Sequence, residues 1–397
     1  VTLANLNDLT ATFAARGEKT ALIAFHGGGA KATAYSELGE RISRAAEALL
    51  AHGVAEGDRV ALLAPNSVEW IAAYFGIVTA GAIAMPIDHL ATTEQVSAAF
   101  SVAPPRLVLT TRSRAAELSA VPDVAPMLLL DENALDTVGE RTPTLKPARS
   151  DPNEFASILF TSGTTGTPKA VPLTHANLTA NVRELLASEI IEGDDRVLLP
   201  LPLHHTYPFT VGLLTPLAAG ATVILPAAVS GPEIAEAARV ARATALLAVP
   251  RLCTALWASV TAAVEARGKL ATAVFGFLLR ASIAARRLTG RHLGRLLFRS
   301  VHERLGTSLR LIGCGGAKLP ETLTAQLEGL GWHVLTGYGL TETSPVLTFN
   351  SRKHARIGSE GRPLPGVEIR IGTDAAAGEI QAKGPSVFRG YLDNPAA

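Results

Sequence analysis

Two cysteines in 397 residues, Cys253 and Cys314, are too few for a disulfide framework or a cysteine-built metal site. Their scarcity fits a reducing cytoplasm. Charge is scarce too: Asp, Glu, Lys and Arg make up 18% of the chain, against 48% for the hydrophobic class, and the formal net charge is +1. So apolar a chain is not disordered, and so even a balance argues against a dominant nucleic-acid surface. The opening VTLANLNDLTATFAARGEKTAL lacks a basic stretch followed by an apolar core, so no secretory signal is visible.

Two long segments lack charge altogether. Trp70–Ile87 and Thr206–Pro232 contain no Asp, Glu, Lys or Arg, and both are long enough to raise a membrane-span reading. Gly76, Gly81 and Pro86 interrupt the first, and Pro208, Pro216, Gly220 and Pro226 the second. Each therefore reads better as a buried helix, a glycine turn and a buried strand.

What the chain does have is repeated βα alternation. Helical patterns such as Tyr35–His52 and Val68–Thr79 alternate with the apolar runs RVALLAP, AIAMPID, RLVLTT and MLLLD. The rhythm returns in RVLLPLP, TVILP, ALLAVP and LRLIGCGG. This predicts an α/β fold of two βα-layered subdomains, with largely parallel sheets flanked by helices. After about Ile357 short strands between glycines suggest a small antiparallel, barrel-like piece. The expected division is a first α/β subdomain over 1–178 with a phosphate loop, a second over 179–340, and the start of a barrel-like subdomain over 341–397.

The phosphate loop is the stretch TSGTTGTPK, 161–169, which follows the apolar run Ala156–Phe160. Hydroxyls, bare glycine backbone and a lysine are anion-binding groups, although a solvent loop can share that composition. The nucleotide P-loop spacing fails, because Gly166 is followed by Thr167-Pro168 and Lys169 by Ala170. No G-x-G-x-x-G opens a helix after the first strand either. A loop of this composition is expected to be mobile and to order on a triphosphate.

Three further stretches carry candidate chemistry. CGGAKLP, 314–320, offers bare backbone at Gly315 and Gly316. LTGYGLTETSP, 335–345, sets Tyr338 between Gly337 and Gly339, with a hydroxyl at Thr341 and a hard oxygen ligand suited to magnesium at Glu342. Alone, Tyr338 reads as a core aromatic and Glu342 as a solvated cap; together with the Thr/Gly loop they describe a phosphate cradle, a metal carboxylate and an aromatic face for a base. In LPLHHTYPF, 201–209, paired histidines follow a strand. Adjacent His204 and His205 are expected to point to opposite sides, with at least one toward a cleft.

In this order, these stretches resemble the adenylate-forming superfamily of acyl-CoA synthetases, luciferases and carrier-loading adenylation domains. TSGTTGTPK carries most of the match, supported by YGLTE, by GEIQAKGPSVFRGYLDNP and by the run YSELGERISRAAEALLAHGVAEGDRVALLAPNSVEW. The resemblance spans Tyr35 to Tyr391 and implies an ATP-dependent carboxylate ligase. By that resemblance Thr161, Ser162, Gly163, Thr164, Thr165, Gly166 and Lys169 form the pyrophosphate-side loop. Gly315, Gly316, Ala317 and Tyr338, with Gly337 and Gly339 beside it, embrace the adenine. Thr341 touches the α-phosphate, Glu342 binds Mg2+, and His205 stands at the acyl pocket. ATP and CoA are the implied co-substrates.

The family pattern would continue past Asn394 into a Thr-Gly-Asp segment, a hinge and a small C-terminal domain bearing a lysine. The expectation is therefore a large N-terminal domain whose activity alone is weak or nil. The segment 275–306 has six arginines and no acid from Arg280 to Arg299, interleaved with leucines. It resembles an insertion of long-chain fatty acid–CoA ligases, which implies a medium- or long-chain fatty acid. A basic amphipathic helix of this kind also suggests peripheral contact with the inner membrane face, or simply packing on the protein itself. Two alternatives stand: a fatty acyl-AMP ligase that loads an acyl carrier protein, and a nucleotide-binding module without catalysis.

Overall fold

The structure, a computed structural model, describes residues 3–132, 151–161, 168–290, 293–351, 354–372 and 378–394. The strands of its first half are β1 (Thr20–His26), β2 (Gly29–Ala34), β3 (Arg59–Leu63), β4 (Ile83–Pro86), β5 (Leu107–Thr110), β6 (Met127–Leu129), β7 (Phe155–Thr161) and β8 (Lys169–Thr174). Those of the second half are β9 (Arg196–Leu198), β10 (Thr222–Leu225), β11 (Ala245–Ala248), β12 (Leu311–Cys314), β13 (His333–Gly339), β14 (Val346–Phe349), β15 (Arg362–Pro363), β16 (Glu368–Ile371) and β17 (Ile380–Lys383).

Two sheets organise the fold. One has the order β6-β5-β3-β4-β7-β8 and is parallel except for its last pair, β7–β8, which is antiparallel. The other has the order β15-β14-β13-β12-β11-β9-β10-β1-β2. It is parallel from β13 to β1 and antiparallel at both margins. This is the α/β architecture that βα alternation requires.

The main core lies between the sheets. The helix Val68–Thr79 is apolar all round and buried at every position but Glu69, as a helix enclosed on all sides must be. Ser67 caps its start by accepting from the Trp70 amide at 3.0 Å. Trp70, Tyr74 and Phe75 share one cluster with Val60, Leu62 and Leu107 of the six-stranded sheet and with Leu22, Val223 and Leu225 of the nine-stranded one. The segment continues through Gly81 at φ +81 into β4, and the second charge-free segment runs through Gly220 at φ +77 into β10. Both are the helix–turn–strand units expected. Among the described residues no helix is long and apolar enough to cross a membrane.

The sheets do not follow the expected boundaries along the chain. β1 and β2 precede residue 178 yet belong to the nine-stranded sheet, because β1, buried on both faces, pairs in parallel with β10. A strand buried on both faces needs neighbours on both edges, and nothing in its own sequence names them. β14 and β15 extend that same sheet, and β16–β17 form a separate two-stranded antiparallel ribbon. No closed barrel forms among the described residues.

Candidate active site

The ends of both sheets converge on one cavity of about 870 Å³. From the six-stranded sheet come Thr161 and Lys169, which face each other as the last register pair of the β7–β8 hairpin. The stretch between them therefore joins two antiparallel strands, whereas a P-loop joins a strand to a helix. Ser162, Gly163, Thr164, Thr165 and Gly166, and the expectation that they are mobile, lie outside the described residues. Thr161 and Lys169 are the stems of that loop.

From the nine-stranded sheet come two strand ends. β12 stops at Cys314 and turns through Gly315, Gly316 and Ala317, all lining the cavity. Glycine at 315 is required by Tyr207: a Cβ there would lie 2.9 Å from the Tyr207 ring. Tyr207 is itself held by its hydroxyl, which donates to the Gly313 carbonyl at 3.0 Å and reaches the Ala248 carbonyl at 3.3 Å. Burial drives its pKa well up, so it stays protonated. β13 ends in Gly337-Tyr338-Gly339, and the next turn, Thr341–Thr343, brings Thr341 and Glu342 to the same cavity.

Buried polar side chains fix this second strand end. Asn181, on the helix His175–Ala187, donates to the Val346 carbonyl at 2.7 Å and accepts from the Val346 amide at 3.1 Å. Asn177 on the same helix donates to the carbonyls of Pro385 and Val387 at 2.8 and 3.1 Å. The Ser344 hydroxyl donates to the Ser386 carbonyl at 2.9 Å, and the Phe388 amide to the Glu342 carbonyl at 2.8 Å. Each bond satisfies a group that would otherwise be stranded away from water.

Those contacts bring in a residue that the sequence reading quoted but did not assign, Tyr391. Its hydroxyl donates to Glu342 Oε1 at 2.8 Å, and Lys169 Nζ lies 4.6 Å from the centre of its ring. The Leu392 amide donates to the Ala170 carbonyl at 3.0 Å and ties this segment to β8. Desolvation, then the hydrogen bond to Glu342 and its charge, push the Tyr391 hydroxyl up to about 12. A cation, an aromatic ring and a carboxylate thus share one side of the cavity.

Other titratable residues of the lining are held neutral by burial. His205 lines the cavity just before the short helix Thr206–Phe209, and its ring centre is 4.1 Å from that of His204. The expectation that they point to opposite sides fails because they sit in a turn, where strand alternation does not apply. Burial, then the neighbouring His205, lowers His204 to about 4, and burial lowers His205 as well. Cys253 and Cys314 are both free and buried, and Cys314 lines the cavity.

A second cavity of about 710 Å³ adjoins the first and shares Leu201, Val249 and Arg251 with it. The helices Gly231–Val240, Pro250–Glu265 and Arg299–Leu305 supply most of its lining, largely aliphatic. Thr161, Lys169, His205, Gly315, Gly316, Ala317, Gly337, Tyr338, Gly339, Thr341 and Glu342 thus meet around one space. Tyr207, Arg251 and Tyr391 join them unforeseen. Tyr207 lay two residues from His205, and Tyr391 lay within the quoted run GEIQAKGPSVFRGYLDNP.

Comparison with known proteins gives a consistent result. The profile of the family described as AMP-binding enzyme matches residues 9–392. A feruloyl-CoA synthase of Amycolatopsis is 29% identical over 381 residues, covering 94% of this chain and 68% of the relative. A long-chain-fatty-acid–CoA ligase of Mycobacterium bovis is 30% identical over 399 residues, covering 91% of this chain and 64% of the relative. Among solved structures, ATP-bound MatB of Rhodopseudomonas palustris superposes with a TM-score of 0.78 at 27% identity, covering 100% of this chain and 73% of that one. The o-succinylbenzoate CoA synthetase of Bacillus subtilis with its acyl-adenylate shares the fold at a TM-score of 0.78 and 24% identity, covering 98% of this chain and 72% of that one.

Proposed function

This chain belongs to the AMP-binding enzyme family, and from that premise we propose that it serves an AMP-forming acyl-CoA ligase acting on a medium- or long-chain fatty acid in the cytoplasm. The carboxylate attacks the α-phosphorus of ATP, pyrophosphate leaves, and the thiol of CoA then displaces AMP from the acyl-adenylate. The observation that carries the reading is the convergence of Lys169, Thr341, Glu342, Tyr338 and the Gly315–Ala317 turn on one cavity that adjoins an apolar one.

The difficulty of the first step is that two anions must meet in line. Lys169 and the hydroxyls of Thr161 and Thr341 offset that repulsion from fixed positions, and fixed donors aimed at developing charge are worth more than mobile ones. Tyr338, Gly315, Gly316 and Ala317 form the base side. His205 and Tyr207, held neutral by burial, stand in the lining beside the space for the acid, and Arg251 stands where the two cavities meet. No protein nucleophile is needed.

Among the described residues no group of three or more His, Cys, Asp or Glu is placed to hold a metal ion. Glu342 is the carboxylate among the described residues lining the cavity. One carboxylate beside a phosphate site fits Mg2+, which binds through one or two carboxylates together with substrate phosphates and water. When bound, the ion neutralises phosphate charge. Glu342 would hold it, and the Tyr391 hydroxyl orients that carboxylate.

The acid is the part to test, because the relatives include both feruloyl- and fatty-acyl-CoA ligases. An aliphatic cavity supports the fatty acid: each further methylene it takes contributes up to about 0.8 kcal/mol. Calorimetry with non-hydrolysable acyl-sulfamoyl-adenosines is expected to show the dodecanoyl compound binding at least about tenfold tighter than the feruloyl or acetyl compound. Tighter binding of the feruloyl compound would replace the fatty acid with an aromatic one. Product analysis with CoA and with a phosphopantetheinylated carrier protein then separates CoA ligation from carrier loading.

A further inference from the structure

Among the described residues, half the exposed large hydrophobics fall in the one stretch 270–297. The helix Lys269–Thr289 leaves Leu270 80% exposed, Val274 49%, Phe277 65% and Leu288 85%, and the turn of helix after it leaves Leu296 80% exposed. At about 100° per residue, Leu270, Val274, Phe277, Ala281, Ala284 and Leu288 fall within an arc of about 80°. At about 1.5 Å per residue that stripe is about 27 Å long.

The stripe is not the helix's packing face. That face is the opposite one, where Leu279 and Ser282 are buried and the Ser282 hydroxyl donates to the Gly329 carbonyl at 2.7 Å. There Arg286 also makes a two-pronged pair with Glu328 at 2.8 and 2.9 Å. The inner face accounts for the helix's place in the fold; it does not account for the outer one. A solvated helix would carry polar residues there.

Charge says what covers it. Between Glu265 and Glu303 the chain has no Asp or Glu, while Arg267, Lys269, Arg280, Arg287 and Arg299 all lie at its exposed surface. Arg280 and Arg287 flank the stripe along one side. An apolar strip flanked by cations on one side matches a surface with an apolar interior and anionic heads. We propose that the helix Lys269–Thr289, with Leu296 beside it, lies in the plane of an anionic lipid bilayer as a peripheral anchor. The proposal stands apart from the ligase reading, since no residue of the nucleotide cavity takes part.

The test is co-sedimentation of the full chain with vesicles of phosphatidylcholine alone and of phosphatidylcholine mixed with phosphatidylglycerol. The expected result is binding to the mixed vesicles, weakened at high salt, with little to phosphatidylcholine alone. The variant Phe277→Ser/Leu288→Ser/Leu296→Ser and the variant Arg280→Glu/Arg287→Glu should each lose about tenfold in binding. All five positions are exposed, so circular dichroism and AMP affinity should not change. Absence of sedimentation with the mixed vesicles, or binding by either variant as tight as that of the unaltered chain, would overturn the proposal. So would a concentration-dependent dimer that the serine variant abolishes while lipid binding is missing, which would assign the stripe to a second copy of this chain.

Discussion

Two parts of the larger cavity's lining differ in charge. One wall holds Tyr391 between a cation and an anion, with Lys169 Nζ 4.6 Å from its ring centre and its hydroxyl donating to Glu342. The other holds His205, with His204 behind it, and Tyr207, all kept neutral by burial. The charged wall suits a triphosphate and the neutral wall an acyl group. The one residue type they share behaves alike in both: desolvation raises the hydroxyls of Tyr391 and Tyr207, so each stays a neutral hydrogen-bond donor while its neighbours set the local charge.

The sharpest way to break this comparison is to neutralise the charged wall. Glu342→Gln preserves size and removes the ligand charge, so Mg2+-dependent ATP–pyrophosphate exchange by the full-length enzyme should fall by about two to three orders of magnitude. AMP affinity measured without metal should change little. Exchange within twofold of wild type would remove Glu342 from its role.

The neutral wall is tested by acid. His204 has a folded pKa of about 4 against an ordinary 6.5, so the folded state resists protonation. Its contribution is fully present above about pH 6.5 and is lost as pH falls toward 4, amounting to at most about 3 kcal/mol. His175, outside the cavity, accepts from the Leu6 amide at Nδ1 and is also lowered to about 4 by burial. Thermal melts should therefore fall through this window, and His204→Gln should remove only part of the slope. An unchanged slope in the variant would mean that His204 titrates alike in the folded and unfolded chain and is not held neutral by burial.

A steric test separates wall from loop. Gly315→Ala places a Cβ 2.9 Å from the Tyr207 ring, which must then give up its carbonyl partners or move into the cavity. A loss of about 1–3 kcal/mol in stability and about tenfold in nucleotide affinity is expected from denaturant unfolding and calorimetry. Full affinity would show that the turn is not in contact with the base.

The smallest effect is expected at Tyr391. Tyr391→Phe keeps the ring under Lys169 and removes one hydrogen bond to Glu342, a change of about 1–2 kcal/mol at most. It should raise the Mg2+ concentration needed for half-maximal exchange a few-fold, with little effect on ATP affinity. Tyr391→Ala should affect both.

Much of this protein was decided locally and could be read without coordinates. The helix Val68–Thr79 lies where its pattern predicts, and the glycine turns at Gly81 and Gly220 break the charge-free segments into helix and strand. Periodicity and turn chemistry are short-range properties, carried by neighbours in the chain. The site's strand-end residues were less legible from composition, which left Tyr338 open to a core role and Glu342 to a solvated cap; the resemblance carried by TSGTTGTPK and YGLTE grouped them with the loop.

Tertiary structure decided the rest. Only the fold paired β1 with β10, set His204 against His205 within one turn, and carried Tyr391 some two hundred residues along the chain to lie between Lys169 and Glu342. Only the fold exposed one face of the helix Lys269–Thr289 while burying the other. Sheet neighbours, protonation and exposure depend on what packs from distant parts of the chain, and no local pattern encodes the partner.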